Sequence, residues 1–105
     1  MVFLESKMFS RRAAELLPDE DLRLLQVSLL FRPDQGSVIS GGSGLRKMRW
    51  GLPGRGKSGG ARIIYYWFVA EQVVYLLAIY PKNEQADLTS DQLKLLRQAV
   101  KSEFK

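Results

Sequence analysis

Lys47 and Arg49 stand two residues apart in this 105-residue chain, Arg62 opens a later apolar run, and Lys82 follows the run after that. Arg46 adjoins Lys47, and Arg55 and Lys57 lie on the connection leading to Arg62. Cations spread over strands and a connector can converge on one phosphate-sized space, where they bind non-bridging oxygens and offset developing negative charge. The chain contains no His and no Cys. That excludes the usual neutral-pH proton carrier, thiolate nucleophiles, disulfides and the commonest metal ligands. Any catalysis must therefore use Lys, Arg, Tyr or carboxylates, and no metal or cofactor is expected.

Sixteen Lys and Arg face eleven Asp and Glu, a net charge of +5 that favours acidic partners without naming one. Its distribution says more: between Asp34 and Glu71 there are six cations and no acid. A single Lys or Arg is ordinarily a solvated surface charge, but with acids excluded from so long a stretch, nucleic-acid phosphate becomes the leading partner. Trp50, Tyr65, Tyr66, Trp67, Tyr75 and Tyr80 offer faces that stack on bases where exposed. Most belong to the core, and Tyr80, beside Lys82, is the functional candidate. Gly51 to Ser58 matches the phosphate-loop pattern G-x-x-x-x-G-K-S. That motif works only between a strand and a helix, whereas a strand pattern follows here, so the segment reads as a cationic inter-strand loop.

These positions need elements to carry them. Val2 to Glu5 is a short strand pattern, and Ser6 precedes a helix with Met8, Phe9, Ala13, Leu16 and Leu17 on one broad face. Pro18 interrupts it. Asp19, Glu20 and Asp21 suit the electropositive start of a second helix that runs to Arg32-Pro33 and packs on the first as a hairpin. Leu45 to Trp50 alternates as a strand, with Lys47 and Arg49 on one face and Arg46, Met48 and Trp50 on the other. Ala61 to Val69 and Val73 to Tyr80 form a β-hairpin, the second strand apolar enough to be covered on both faces until Pro81 ends its ladder. Thr89 and Gln92 form a capping box, with Leu88 and Leu93 as a hydrophobic staple, ahead of a C-terminal helix with its stripe at Leu93, Leu96, Val100 and Phe104. The expected fold is α+β, one domain over residues 1–105 in the order β-α-α-β-β-β-α, a small twisted antiparallel sheet with a helical hairpin packed on one face and a C-terminal helix. Ile63 to Tyr80 is long enough to span a membrane, but Glu71-Gln72 near its midpoint argues against that. No secretory signal follows Met1, so a cytoplasmic location is expected.

Five pieces in order then resemble one superfamily: Leu45 to Arg49, a Gly/Lys-rich loop, Gly59 to Tyr66, Ile79 to Glu84, and Asp87-Leu88-Thr89. The string resembles the RelE/HigB superfamily of bacterial toxins, most closely its HigB-like branch, over nearly the whole chain and with a RelE-like order of elements. The resemblance implies a ribosome-dependent endoribonuclease, an mRNA interferase that cuts mRNA in the ribosomal A site and is held inactive by a cognate antitoxin. It places the basic pair of the second strand at Lys47 and Arg49, the arginine opening the third at Arg62, and the basic position after the fourth at Lys82. The chain departs from the RelE pattern at Asn83 and in lacking the later tyrosine, with Asp87-Leu88-Thr89 in that region.

Such a site can cleave RNA without metal by aligning the 2′-OH for attack on the adjacent phosphorus. Arg62, planar and permanently charged, is expected to grip the non-bridging oxygens. Lys47 and Lys82 are expected to exchange protons, Tyr80 to stack or donate a hydrogen bond, and Arg46, Arg49, Arg55 and Lys57 to hold the RNA backbone. Glu84 is an alternative base whose ordinary reading is a surface acid. Two other classes remain: a ParE-like toxin that inhibits DNA gyrase without a catalytic base, and a non-catalytic nucleic-acid-binding domain.

Overall fold

The computed structural model describes residues 1–53 and 56–104, with the side chains of residues 56–59 outside the description. Val2–Glu5 forms β1, and Ser6 caps the helix that follows, its hydroxyl accepting the Phe9 N–H at 2.9 Å. That helix, α1 (Lys7–Leu16), buries Phe9 and Ala13. Pro18 cannot continue the i to i−4 pattern, and α2 (Asp19–Phe31) starts directly after it, with Asp19, Glu20 and Asp21 at its positive end. A two-residue strand β2 (Ser37–Val38), not anticipated from the sequence, then precedes β3 (Arg46–Leu52) and β4 (Gly56–Phe68). A short 3-10 turn over Val69–Glu71, closed by Gln72 at φ 56°, leads into β5 (Val73–Pro81), and α3 (Ser90–Glu103) completes the chain.

The five strands lie in the order β1-β5-β4-β3-β2. They are antiparallel except at one edge, where β1 runs parallel to β5 with Val2 opposite Val73 and Glu5 opposite Leu76. Every residue of β5 is buried, as its continuous apolar run requires of an interior strand. Pro81 is the last residue of β5 and of its ladder, paired with Ala61, and the Lys82 N–H donates to the Gly60 carbonyl at 3.0 Å. Pro81 is tolerated in the last rung because β1 covers only Val73 to Leu76, so its missing N–H leaves no partner unmet. β4 likewise begins earlier than the sequence suggests. Gly56, Lys57 and Ser58 belong to a strand, where a phosphate-binding loop needs a helix.

Each sheet face has its own core. Phe9, Ala13, Leu17, Leu25 and Leu29 of the helical hairpin meet Met48, Ile63, Tyr65, Val74, Leu76 and Ile79 on one face. On the other, Leu96 of α3, with Leu93 and Val100 beside it, packs on Leu45, Ile64, Tyr75, Leu77, Ala78 and Tyr80. The register slips between Ile64 and Tyr65, so that Leu77 and Ala78 fall in the same cluster. Among the described residues no helix is long and apolar enough to cross a membrane.

Tyr65, fully buried, fastens the approach to β3. Its hydroxyl donates to the Pro33 carbonyl at 2.7 Å and accepts the Gly36 N–H at 2.9 Å. Gly36 must be glycine, since a Cβ there would stand 2.8 Å from the Tyr65 ring. Tyr65→Phe strips both backbone groups of their partner and is expected to lower the free energy of unfolding by about 1–3 kcal/mol, measured as a lower urea midpoint at unchanged m-value.

Candidate functional site

Lys47, Arg49 and Arg62 share one sheet face because β3 and β4 pair antiparallel, with Arg49 opposite Arg62 and Lys47 opposite Ile64. It is the α3 face, and there all three side chains line an open cavity of about 440 Å³ together with Gln35, Ser37 and Ala86. Arg49 is exposed and Lys47 half-buried, but Arg62 is buried at 8% relative exposure, the one buried charged residue among those described. No ion pair and no side-chain hydrogen bond engages its guanidinium among the described residues. Like charges directly opposite across a ladder repel, and with Lys47 beside them Arg49 and Arg62 make the floor of this cavity cationic and suited to an anion.

One carboxylate reaches the cations. Asp87, in the turn between β5 and α3, accepts the Lys47 ammonium on Oδ1 at 3.1 Å and the Leu88 N–H on the same oxygen at 3.0 Å. Its carboxyl is held below the ordinary range, first by the hydrogen bond from Lys47, then by the Leu88 amide and the charge of Lys47, with Arg62 adding to it. Oδ2 has no hydrogen bond among the described residues. In the sequence Asp87 stands out only as part of Asp87-Leu88-Thr89, with no role of its own. The signal was its place: the turn after β5 must fold back along the sheet to start α3, which carries this acid over a strand face otherwise free of acids.

Tyr80 lies directly opposite Arg62 in the ladder, but only 7% exposed, so no base can stack on it. Burial is what raises its phenol above the usual value, with Asp87 adding to the rise and Arg62 opposing it. Its buried hydroxyl has no hydrogen-bond partner among the described residues. The ring lines a separate cavity of about 560 Å³ between α1 and α3. Lys82 is exposed one rung beyond Pro81, a register position on the same face as Arg62. Arg46 does not join the group. Strand alternation turns it to the opposite face, where its Nη1 donates to the carbonyls of Asp34 at 3.1 Å and Gly36 at 2.8 Å. Glu84 is likewise engaged elsewhere, its carboxylate bound by Arg12 at 2.6 and 2.5 Å. Arg55 and the side chain of Lys57 lie outside the described residues. Among the described residues no group of three or more carboxylates is placed to hold a metal ion.

The Lys47–Asp87 link has a defined pH dependence. Its folded-state carboxyl lies below the unfolded one, so its contribution is complete at neutral pH and is lost as pH falls through the depressed folded value. With Asp87 72% exposed, that contribution is small. In Lys47→Met the Asp87 carboxyl, followed by NMR, is expected to titrate at higher pH, toward the ordinary range. Arg62→Met removes the unpaired charge and is expected to raise stability by about 1 kcal/mol, read by chemical denaturation.

Over residues 1–105 the chain matches the family model described as the RelE toxin of the RelE/RelB toxin–antitoxin system. The match takes in the strand pair that carries the cations and the turn that returns Asp87 to them. The chain belongs to the RelE toxin family and is the toxin of a toxin–antitoxin system, a role whose counterpart is an antitoxin protein.

Proposed function

We propose that the toxin is a ribosome-dependent mRNA endoribonuclease, an mRNA interferase that cleaves message in the ribosomal A site by attack of a 2′-OH on its neighbouring phosphorus. The observation that carries this reading is Arg62, mostly buried and without an ion pair among the described residues, at the base of a cavity walled by Lys47 and Arg49. A phosphodiester supplies the missing anion, and the phosphorane formed on attack, more negative than the substrate, is stabilised more strongly than the ground state. Arg62 and Arg49 bind the non-bridging oxygens.

Asp87, ionised at neutral pH and anchored through Oδ1, takes the 2′-OH proton on Oδ2, with Lys47 as the group that orients it. The O2′–P bond forms as the P–O5′ bond breaks, and Lys82 protonates the departing 5′-oxygen. Lys47 thus keeps a place in the proton path, but as the partner of the base. The products are a 2′,3′-cyclic phosphate and a 5′-hydroxyl. Tyr80, with its hydroxyl buried and its ring on the other cavity, takes no step in this reaction.

The lining of the cavity is in keeping with dependence on the ribosome. Among the described residues no aromatic side chain lines it, so bases find no stacking platform there. In-line alignment of the 2′-OH must be imposed from outside, as it is when the decoding site holds the message. The ribosome and mRNA are thus the working partners, and the antitoxin is the inhibitor.

Mapping transcript 5′ ends after induction tests the reading. Fragments with 5′-hydroxyl ends are expected from the wild type, with cleavage about 100- to 1000-fold slower in Arg62→Ala. Tyr80→Phe is expected to leave both cleavage and thermal stability unchanged, because the hydroxyl it removes is buried and has no partner among the described residues. Ends carrying 5′-phosphate overturn the chemistry, and intact transcripts with DNA damage place the toxin with gyrase inhibitors.

A further inference from the structure

A second cationic cavity opens on the α3 side of the sheet, about 400 Å³ in volume, between α3 and the loop that leads into β3. Lys94, Arg97 and Lys101 line it at spacings of three and four residues, which puts them on one helical face and spreads them over about 10 Å. The opposite wall is Gly42 and Ser43. Arg97 joins the two walls, its Nη1 donating to the Gly41 carbonyl at 2.8 Å. Lys94 and Lys101 are exposed, and among the described residues none of the three forms an ion pair.

The composition of this cavity separates it from its neighbours. Among the described residues no carboxylate lines it, whereas Glu15 lines both the cavity between α1 and α3 and the one beside Pro18. Val100 is its one aliphatic wall residue and it has no aromatic one, so it lacks the apolar anchors on which protein partners spend most of their binding energy. What it offers instead is Lys, Arg, Ser and Gln, the side chains that contact phosphate and sugar. Mutual repulsion along one helix face destabilises the free protein unless an anion relieves it.

We infer that Lys94, Arg97 and Lys101, with the Gly42–Ser43 loop, form a second RNA-backbone site that grips ribosomal RNA away from the linkage being cleaved. The phosphate chemistry rests on this cavity alone. Only the naming of the RNA as ribosomal rests on the proposed function. Arg97 is the pre-ordered member, held by the loop, while Lys94 and Lys101 give the charge that sets affinity and its salt dependence.

Co-sedimentation of the full chain with purified ribosomes tests this, in an Arg62→Ala background that leaves the message uncut. Lys94→Gln/Lys101→Gln, which keeps the Arg97 anchor and hence the loop, is expected to weaken binding about 10-fold at 0.15 M salt and to flatten the log–log salt dependence by about one to two units. The triple variant with Arg97→Gln is expected to weaken it further, with thermal melts showing that both variants are folded. Unchanged affinity and slope in the double variant overturn the inference, as does no sedimentation of the parent chain, or weakened capture of the antitoxin with ribosome binding intact. If instead the double variant loses ribosome binding while Arg62→Ala alone cleaves message at the wild-type rate, the active-site reading falls and this second site stands.

Discussion

An arginine lies almost wholly within the sheet of this toxin with no ion pair among the described residues, and the rest of the molecule is arranged around that fact. Arg62 lies opposite Arg49 on one strand and Tyr80 on the other, so its ladder neighbours supply a like charge and an unpartnered phenol. Such an arrangement lowers stability, and it persists only where the surroundings leave the side chain no other place. Here they do. β4 is flanked by β3 and β5, its neighbours Ala61 and Ile63 are buried in the opposite core, and a turn of the chain by one residue would exchange the two faces. The hydrophobic register of the hairpin core therefore fixes the charge where it is.

The rigid parts divide this task. The core under α1 and α2 holds the register of β3 on β4, and Tyr65 ties Pro33 and Gly36 to that core from within. Arg46 braces the same segment by binding the carbonyls of Asp34 and Gly36. On the other face the capping box of Thr89 and Gln92 fixes where α3 begins, and Asp87 sits two residues ahead of that cap. A helix start thereby delivers a carboxylate to Lys47. The same cap turns Leu88 and Leu93 into the core that covers Tyr80. Charge placement and core packing share these residues, so neither can be altered independently near the turn.

Much of this was legible in the sequence because periodicity speaks to faces. The alternation of Arg46 to Trp50 separated Lys47 and Arg49 from Arg46, Met48 and Trp50, and the unbroken apolar run of β5 marked an interior strand. Thr89 and Gln92 announced α3 through a local hydrogen-bond pattern that needs no tertiary context. What the sequence did not disclose depended on distant pairing. Two residues are too few for β2 to carry a pattern, and the parallel pairing of β1 is set by the sheet rather than by β1 itself. Arg46 resembled an RNA ligand by charge alone, and only the position of two carbonyls twelve and ten residues upstream reveals its structural work. Asp87 was invisible for the converse reason, since its partner lies forty residues away.

If the toxin is the nuclease proposed above, the separation of the two cationic cavities bears on how a site this open would be catalytic. Binding energy that is spent equally on substrate and transition state does not lower the barrier between them. A cleft that held message mainly through its own lysines and arginines would saturate on any RNA and accelerate little. Placing further backbone contacts on α3, away from the reacting linkage, lets affinity for structured RNA be gained where charge does not change during reaction. Arg62 and Arg49 are then left for the oxygens on which negative charge accumulates. Under the proposed function, ribosome dependence would be a consequence of this division, the docked RNA surface supplying the orientation of the 2′-OH.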